Sequence, residues 1–155
     1  MWLIECRNKR GEPVTREGVI RLEDATENQA VLTAVAEAAE RLTKTCSVRV
    51  FTGDGHVYGA VKNRWHIRWE KNGWKNAKGK PVANAALWKR MADALQEHTC
   101  AFCRGQNPYR EVMKRKLEKE IEEWNRELSR AQDLGILKIK EGKYGRVKGL
   151  QQRKK

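Results

Sequence analysis

The alternation of apolar and polar residues predicts that the chain opens with a β-hairpin. Residues 1–7 alternate in the manner of a strand, turn-forming residues occupy 8–13, and residues 14–22 predict a returning strand. Residues 46–52, with the sequence CSVRVFT, predict a short strand that ends at a Gly-Asp-Gly turn, and residues 98–104 predict a final strand.

Helical patterns alternate with these strands. A capping box at residues 26–29 predicts a helix that runs to about residue 43. The apolar spacing predicts a second helix over 57–70 and a third over 83–97, and a long charged helix begins after Asn107-Pro108. Strands that alternate with helices indicate an α/β fold, in which helices cover a sheet.

The charge of the chain favours a polyanionic partner. The 155 residues carry a net charge of +13, and the sequence pI is about 9.9. A mean hydropathy of −0.83 and the lack of a long apolar run argue against a membrane span. The N-terminus has no basic leader followed by an apolar stretch, so the four cysteines are expected to be reduced thiols and the expected location is cytoplasmic.

Residues 62–80 combine positive charge with aromatic side chains. Seven Lys and Arg lie in this segment against one acid, Glu70, and they are interleaved with Trp65, Trp69 and Trp74. Cations neutralise phosphates, and indole faces can stack on bases, so the segment predicts contact with nucleic acid. The alternative is that some of these indoles belong to the core and the lysines are ordinary solvated surface.

The same segment belongs to a longer block that resembles the ribonuclease H family. The block reads Trp65-x3-Trp69-x3-Gly73-Trp74-Lys75-x5-Pro81-Val82-x-Asn84-x2-Leu87-Trp88. The resemblance covers about residues 1–118 and implies a ribonuclease H-like mixed sheet flanked by helices, with a basic protrusion that grips an RNA/DNA hybrid. Residues 119–155 are expected to form a helical extension and a flexible basic tail, which includes Tyr144-Gly145-Arg146.

The resemblance also implies which residues bind nucleic acid. Asn84 matches a family residue that contacts the ligand, although its place at a helix start suits a capping role equally. The complete implied set is Trp65, Arg68, Trp69, Lys71, Trp74, Lys75, Lys78, Lys80 and Asn84.

The family's catalytic carboxylates are largely missing. The family cleaves the RNA strand of a hybrid with two divalent metals, Mg²⁺ or Mn²⁺, held by four clustered acids. Two of those positions fall on Val31 and Lys114, and a third falls on Asp54 or Gly53, depending on the direction of counting. Asp54 is therefore the one candidate for a catalytic and metal-binding residue, and nuclease activity is expected to be weak or absent.

The remaining family acid, which comes first along the chain, lies on a central first strand that has no counterpart here. Too few residues separate Glu5 from Val31 to fit the hairpin that follows the family's first acid. A truncated start is the preferred interpretation, and the alternatives are that another segment or a second copy fills the gap.

Other candidate ligands have plain structural interpretations. Glu27 and Glu111 lie one helical turn from the family's acid positions, yet acids at helix starts are common. Cys100 and Cys103, with His98 nearby, form half of a metal motif, and buried inert thiols are the preferred interpretation. His56 could approach a phosphate or a metal, or serve only as a surface residue.

The charged C-terminal helix carries an apolar seam. Its spacing predicts either docking on the domain, which is preferred, or pairing with a partner helix in a homo-oligomer. The seam consists of Leu117, Ile121, Trp124, Leu128 and Ala131.

Three functional hypotheses remain open from the sequence. The first is a ribonuclease H-family protein that binds RNA/DNA hybrid and has doubtful endonuclease activity. The second is a non-catalytic nucleic-acid-binding or assembly protein of a mobile element. The third is a gene fragment whose missing N-terminal part carried another metal ligand.

Overall fold

The computed structural model describes residues 1–105, 107–135, 137–141 and 147–152, and the predicted N-terminal hairpin is present. Strand β1 (Trp2–Arg7) pairs with β2 (Pro13–Gly18) in an antiparallel register that joins Trp2 to Gly18. The oxygen Oδ1 of Asn8 accepts bonds from the amides of Arg10 and Glu12, which closes the turn. Strand β2 ends earlier than the predicted residue 22.

Two further strands form a parallel pair. Strand β3 (Ser47–Phe51) and strand β4 (Thr99–Cys103) lie side by side, so both strands end at the same end of the pair. The segments that follow Phe51 and Cys103 therefore start next to each other.

The helices lie close to their predicted places. They are α1 (Glu27–Ala39), α2 (Gly55–Lys62), α3 (Trp65–Lys71), α4 (Ala85–Leu95) and α5 (Arg110–Asp133). The predicted capping box is confirmed, because the side chain of Thr26 accepts from the amide of Gln29 and the Gln29 side chain accepts from the amide of Thr26 at 2.8 Å.

The prediction of one helix over 57–70 is wrong, because the helical conformation is interrupted between α2 and α3. Arg64 adopts a left-handed conformation with φ of 55°, which ends the helical hydrogen-bond ladder. In an unbroken helix, Trp69 would lie about 120° around the axis from the buried Val57. The break redirects the chain and allows both side chains to pack against one core.

The hydrophobic core lies between three helices. Leu32 and Ala36 of α1 pack with Val57 and Ala60 of α2 and with Trp88 and Met91 of α4, and all six are essentially inaccessible to solvent. Burial of a large indole such as Trp88 supplies much of the hydrophobic stabilisation. The core therefore fixes the N-terminal ends of the three helices relative to one another.

Helix α5 contacts the hairpin. The ammonium of Lys116 lies 2.5 Å from a carboxylate oxygen of Glu17, and the guanidinium of Arg21 lies 5.6 Å from the ring centre of Trp124. Leu128 of the predicted seam is buried, whereas Ile121 is 44% exposed. These contacts agree with docking on the domain, and pairing with a partner helix stays a prediction.

The described part of the C-terminal tail contains strands where a flexible arm was expected. Helix α5 passes through residues 118 and 119 without a break, and β5 (Leu137–Glu141) pairs with β6 (Val147–Gln152) in an antiparallel hairpin. Tyr144-Gly145-Arg146 lies outside the described residues. None of the helices within the described ranges is long and apolar enough to cross a membrane.

The described strands form three separate two-stranded sheets. Strands β1 and β3 therefore each have one edge that pairs with no other described strand. The expectation that a central strand is missing remains a prediction.

Candidate nucleic-acid interface

Asp54 lies where β3 gives way to α2 and serves as the N-cap of that helix. Its Oδ1 accepts hydrogen bonds from the amides of His56 at 2.8 Å and Val57 at 2.9 Å. Its own amide donates to the hydroxyl of Thr52 at 3.1 Å. The residue is 9% exposed. The local sequence thus uses this carboxylate to satisfy helix amides, which is a structural role independent of any metal.

The arrangement of donors does not fit the family's metal site. Among the described residues, no three His, Cys, Asp or Glu side chains are grouped so that they could hold a metal ion. Glu27 and Glu111 are exposed acids in the first turns of α1 and α5, where a negative charge favours the helix. Val31 packs against the core, and Lys114 is exposed on α5. The catalytic and metal assignment of Asp54 stays a prediction without a described second ligand.

A chain of polar side chains joins the starts of α1, α2 and α4. The side-chain Nε2 of Gln29 donates to Oδ1 of Asn84 at 3.1 Å, and Nδ2 of Asn84 donates to Oδ1 of Asn28 at 3.1 Å. Nδ2 of Asn28 then lies 3.2 Å from Nδ1 of His56. We call these four residues the amide cluster. The core helices position it, because each member lies in or beside the first turn of a helix packed on the others.

The bonds within the amide cluster fix the tautomer of His56. Because Oδ1 of Asn28 accepts from Asn84, the nitrogen of the Asn28 amide faces the imidazole and donates to Nδ1. A neutral His56 therefore carries its proton on Nε2. The ring is exposed, so this N–H and the spare amide hydrogens offer donors to a ligand's oxygen atoms.

Asn84 sits at the centre of this cluster in a left-handed conformation, with φ of 59°. Its side chain makes no capping bond to α4, so the capping alternative is wrong and the side chain serves the cluster instead. Asparagine tolerates this backbone conformation better than most residues, which explains the residue type at this position.

The three tryptophans predicted to bind nucleic acid differ in their packing. Trp69 and Trp74 are partly buried and pack against the core, and the Trp69 ring meets Trp88 edge-on with 5.4 Å between centres. Trp65 is 37% exposed and lies 6.3 Å from Trp69 and 6.4 Å from His56 between ring centres. Trp65 is therefore the indole best placed to offer a face to a base, next to the amide cluster.

A compact loop follows α3 and carries the predicted lysines. Oδ1 of Asn76 accepts from the amides of Lys78 at 2.9 Å and Lys80 at 3.1 Å, and the amide of Asn76 donates to the carbonyl of Lys80 at 2.8 Å. A bridge between Lys75 and Pro81 closes the base of the loop. The backbone is thus held in one shape, which reduces the entropy lost when the lysines bind a ligand.

The predicted cations of α3 and this loop are exposed. These cations are Arg68, Lys71, Lys75, Lys78 and Lys80. None of them forms an ion pair with a residue in the described ranges. Unneutralised positive charge makes these side chains suitable for contact with phosphates.

The cysteine motif does not assemble a metal site in the described chain. Nδ1 of His98 accepts a bond from the amide of Cys46 at 3.2 Å, so this histidine bridges the starts of β3 and β4. Cys100 is exposed, although partial burial of the thiol raises its pKa, and Cys103 is half-buried. The expectation of a buried thiol is therefore wrong for Cys100.

Sequence reasoning missed most of the amide cluster. The sequence pattern predicts a capping box for Asn28 and Gln29, and it gives no sign that His56 lies near them. The available signal was that three predicted helix starts each carried an amide or imidazole side chain, but their proximity depends on the packing of α1, α2 and α4.

The sequence of this chain is similar to those of known ribonucleases H. The family model RNase H matches residues 7–104, which is more than half of the chain. A ribonuclease H of Nitratidesulfovibrio vulgaris strain DP4 is 42% identical over 77 residues, which cover 50% of this chain and 49% of that protein. A ribonuclease H of Gluconobacter oxydans strain 621H is 35% identical over 96 residues, covering 62% of this chain and 60% of that protein.

Similarity to a solved structure supports the fold. A foamy viral protease-reverse transcriptase, solved in complex with an RNA/DNA hybrid, matches 71% of this chain and 17% of its own. The TM-score is 0.53 and the sequence identity is 19%. The fold is thus α/β and ribonuclease H-like, and the chain belongs to the ribonuclease H family. It spans about half the length of the first curated relatives that it matches.

Proposed function

We propose that this chain binds nucleic acid, preferentially RNA/DNA hybrid, through the amide cluster, Trp65 and the loop of residues 75–81, which we call the lysine loop. The observation that carries the proposal is the convergence of Gln29, Asn84, Asn28 and His56 at three helix starts. Such a fixed array can donate to sugar and phosphate oxygens at several points at once.

The lysine loop supplies the electrostatic part of the binding. Its cations have no ion-pair partners in the described ranges, so they are available to neutralise phosphates. Membership of the ribonuclease H family and the RNA/DNA hybrid bound by the viral protein of similar fold favour a hybrid over other duplexes.

We further propose that cleavage of the RNA strand by this chain alone is weak or absent. The family reaction depends on Mg²⁺ or Mn²⁺ held by clustered carboxylates. The described residues offer one buried carboxylate at this place, Asp54, whose Oδ1 accepts from two helix amides. With no second carboxylate grouped beside it in the described ranges, the donor set does not fit a two-metal site.

The binding proposal is tested by the affinity of a fluorescent RNA/DNA hybrid for Asn28→Ala. Alanine is a good helix former, so this change should remove the side-chain donor and leave α1 intact. Asn125→Ala, an exposed asparagine on α5, is the matched control. We expect Asn28→Ala to weaken hybrid binding by about 5- to 15-fold, from loss of hydrogen bonds worth about 1 to 1.5 kcal/mol.

Two results would refute the binding proposal. One is that the unmodified chain does not bind the hybrid at low salt. The other is that Asn28→Ala binds it as tightly as Asn125→Ala does, which would place the ligand elsewhere on the molecule.

A further inference from the structure

Two cations lie against one tyrosine ring on α2, and of these three residues only Lys62 belongs to the basic segment 62–80. The guanidinium carbon of Arg104 lies 5.5 Å from the ring centre of Tyr58, and the ammonium nitrogen of Lys62 lies 5.7 Å from it. Tyr58 and Lys62 are four residues apart on α2, whereas Arg104 follows β4. We call these three residues the cationic stripe.

The fold fixes the position of Arg104. Because β3 and β4 are parallel and in register, Arg104 leaves β4 beside the segment that enters α2. Its side chain crosses the first turn of that helix, where a Cβ on Gly55 would lie 3.2 Å from Nη2 of Arg104. A glycine at this position therefore leaves room for the guanidinium.

The charges of the cationic stripe are not neutralised by the described part of the chain. No carboxylate there lies within ion-pair distance of Arg104 or Lys62. Oδ1 of Asp54, beside Gly55, accepts from two amides of α2, and this carboxylate forms no ion pair with either cation. The Tyr58 ring attracts both cations through its π face, but it does not cancel their charge. Two exposed cations around one ring favour an anionic ligand.

The stripe and the amide cluster flank the exposed ridge of α2. Tyr58 lies about 160° around the helix axis from His56. Gly59 lies between them, and its α-carbon faces open space. Gly59 therefore places no side chain between the amide cluster and the stripe along this side of α2.

We propose that the cationic stripe of Arg104, Tyr58 and Lys62 is a second binding site for the phosphate backbone, on the side of α2 opposite His56. The inference rests on the proposed function, because it extends the same nucleic-acid surface. Contacts here are with phosphates only, so they add affinity and salt dependence without a preference for bases or for the 2′-hydroxyl.

The test measures the affinity of an RNA/DNA hybrid and of single-stranded DNA as a function of salt. The variant is Lys62→Ala/Arg104→Ala. The control is Lys44→Ala/Lys89→Ala, which removes the same charge from exposed positions. Lys44 precedes β3 at the opposite end of the strand from α2, and Lys89 lines a shallow groove with Glu40 at the end of α1.

We expect the variant to lower the slope of log affinity against log salt by about 1.4 to 1.8 for both ligands, which is the loss of two phosphate contacts. Each contact corresponds to about a 2.6- to 3.5-fold change in affinity between 50 and 200 mM salt. The control double variant should keep the larger part of the original slope. Circular dichroism checks that both variants are folded.

An unchanged slope in Lys62→Ala/Arg104→Ala, with the unmodified chain still bound to the hybrid, would overturn the stripe alone. A decrease of equal size in the control would also overturn it, because it would reflect net charge rather than a site. Failure of the unmodified chain to bind either ligand would overturn the proposed function and the stripe together.

Discussion

The carboxylate of Asp54 accepts a hydrogen bond from the backbone amide of Val57 at 2.9 Å. This contact uses the one acid that the sequence offered as a metal ligand to cap α2, the helix that carries His56 and two of the three residues of the cationic stripe. The capping bond thus links the stability of the binding surface to a residue that family resemblance would treat as catalytic.

Replacement of Asp54 separates these two roles. We expect Asp54→Ala to lower the free energy of unfolding by about 0.5 to 2 kcal/mol, because two amides at the start of α2 lose their acceptor. Asp54→Asn should cost much less, since the asparagine oxygen can accept the same bonds. Urea denaturation measures both values. Equal destabilisation by the two variants would show that the negative charge, rather than the cap, is what α2 requires.

Trp65 and Trp69 should respond differently to truncation. Trp65→Ala is expected to weaken hybrid binding by about 1 to 3 kcal/mol, through loss of base stacking, with little effect on folding. Trp69→Ala should lower the free energy of unfolding by up to about 3 kcal/mol, because its ring packs on Trp88 and the core. Anisotropy titration and thermal unfolding measure the two effects. Unchanged hybrid binding by Trp65→Ala would show that base stacking on Trp65 does not contribute to the affinity.

Asn76 should control the lysine loop without affecting the core. Its side chain accepts from two loop amides, and Asn76→Ala leaves both without that acceptor. We expect weaker hybrid binding, since the lysines must then be ordered on binding, and a small change in the free energy of unfolding. Hydrogen exchange of the loop amides measures the ordering directly. Lys71→Ala serves as a comparison that removes charge but leaves the loop shape intact.

The ion pair between Glu40 and Arg90 should make stability depend on pH. Hydrogen bonds from the Arg90 guanidinium, at 2.8 Å to each carboxylate oxygen, hold the pKa of Glu40 below its ordinary value. A lowered folded-state pKa stabilises the protein above the unfolded-state pKa, and this contribution is lost as pH falls through the folded value. Because both side chains are exposed, the contribution should stay within about 1 kcal/mol.

The measurement for this pair is the free energy of unfolding of the unmodified chain and of Arg90→Ala. We expect Arg90→Ala to be less stable near neutral pH and the difference to shrink in strong acid, where Glu40 is protonated. Lys89→Ala controls for loss of charge on α4. A difference that persists unchanged in acid would mean that Arg90 stabilises through packing alone.

Local patterns predicted most of the elements of this fold. The hairpin and the capping box of α1 depend on residues close in sequence, and both are confirmed. The break at Arg64 was missed because it satisfies a tertiary requirement, namely that Trp69 reach the core. The hydrogen bond from Asn84 to Asn28 joins residues that are 56 positions apart. No local pattern shows which side chains such packing brings together.

The decisive experiment measures both binding and cleavage of one end-labelled RNA/DNA hybrid, with Mg²⁺ and then Mn²⁺. The unmodified chain is compared with Asp54→Asn. We predict that both proteins bind the hybrid and that neither cleaves its RNA strand appreciably. Metal-dependent cleavage by the unmodified chain that disappears in Asp54→Asn would refute this prediction and assign Asp54 to a working catalytic site.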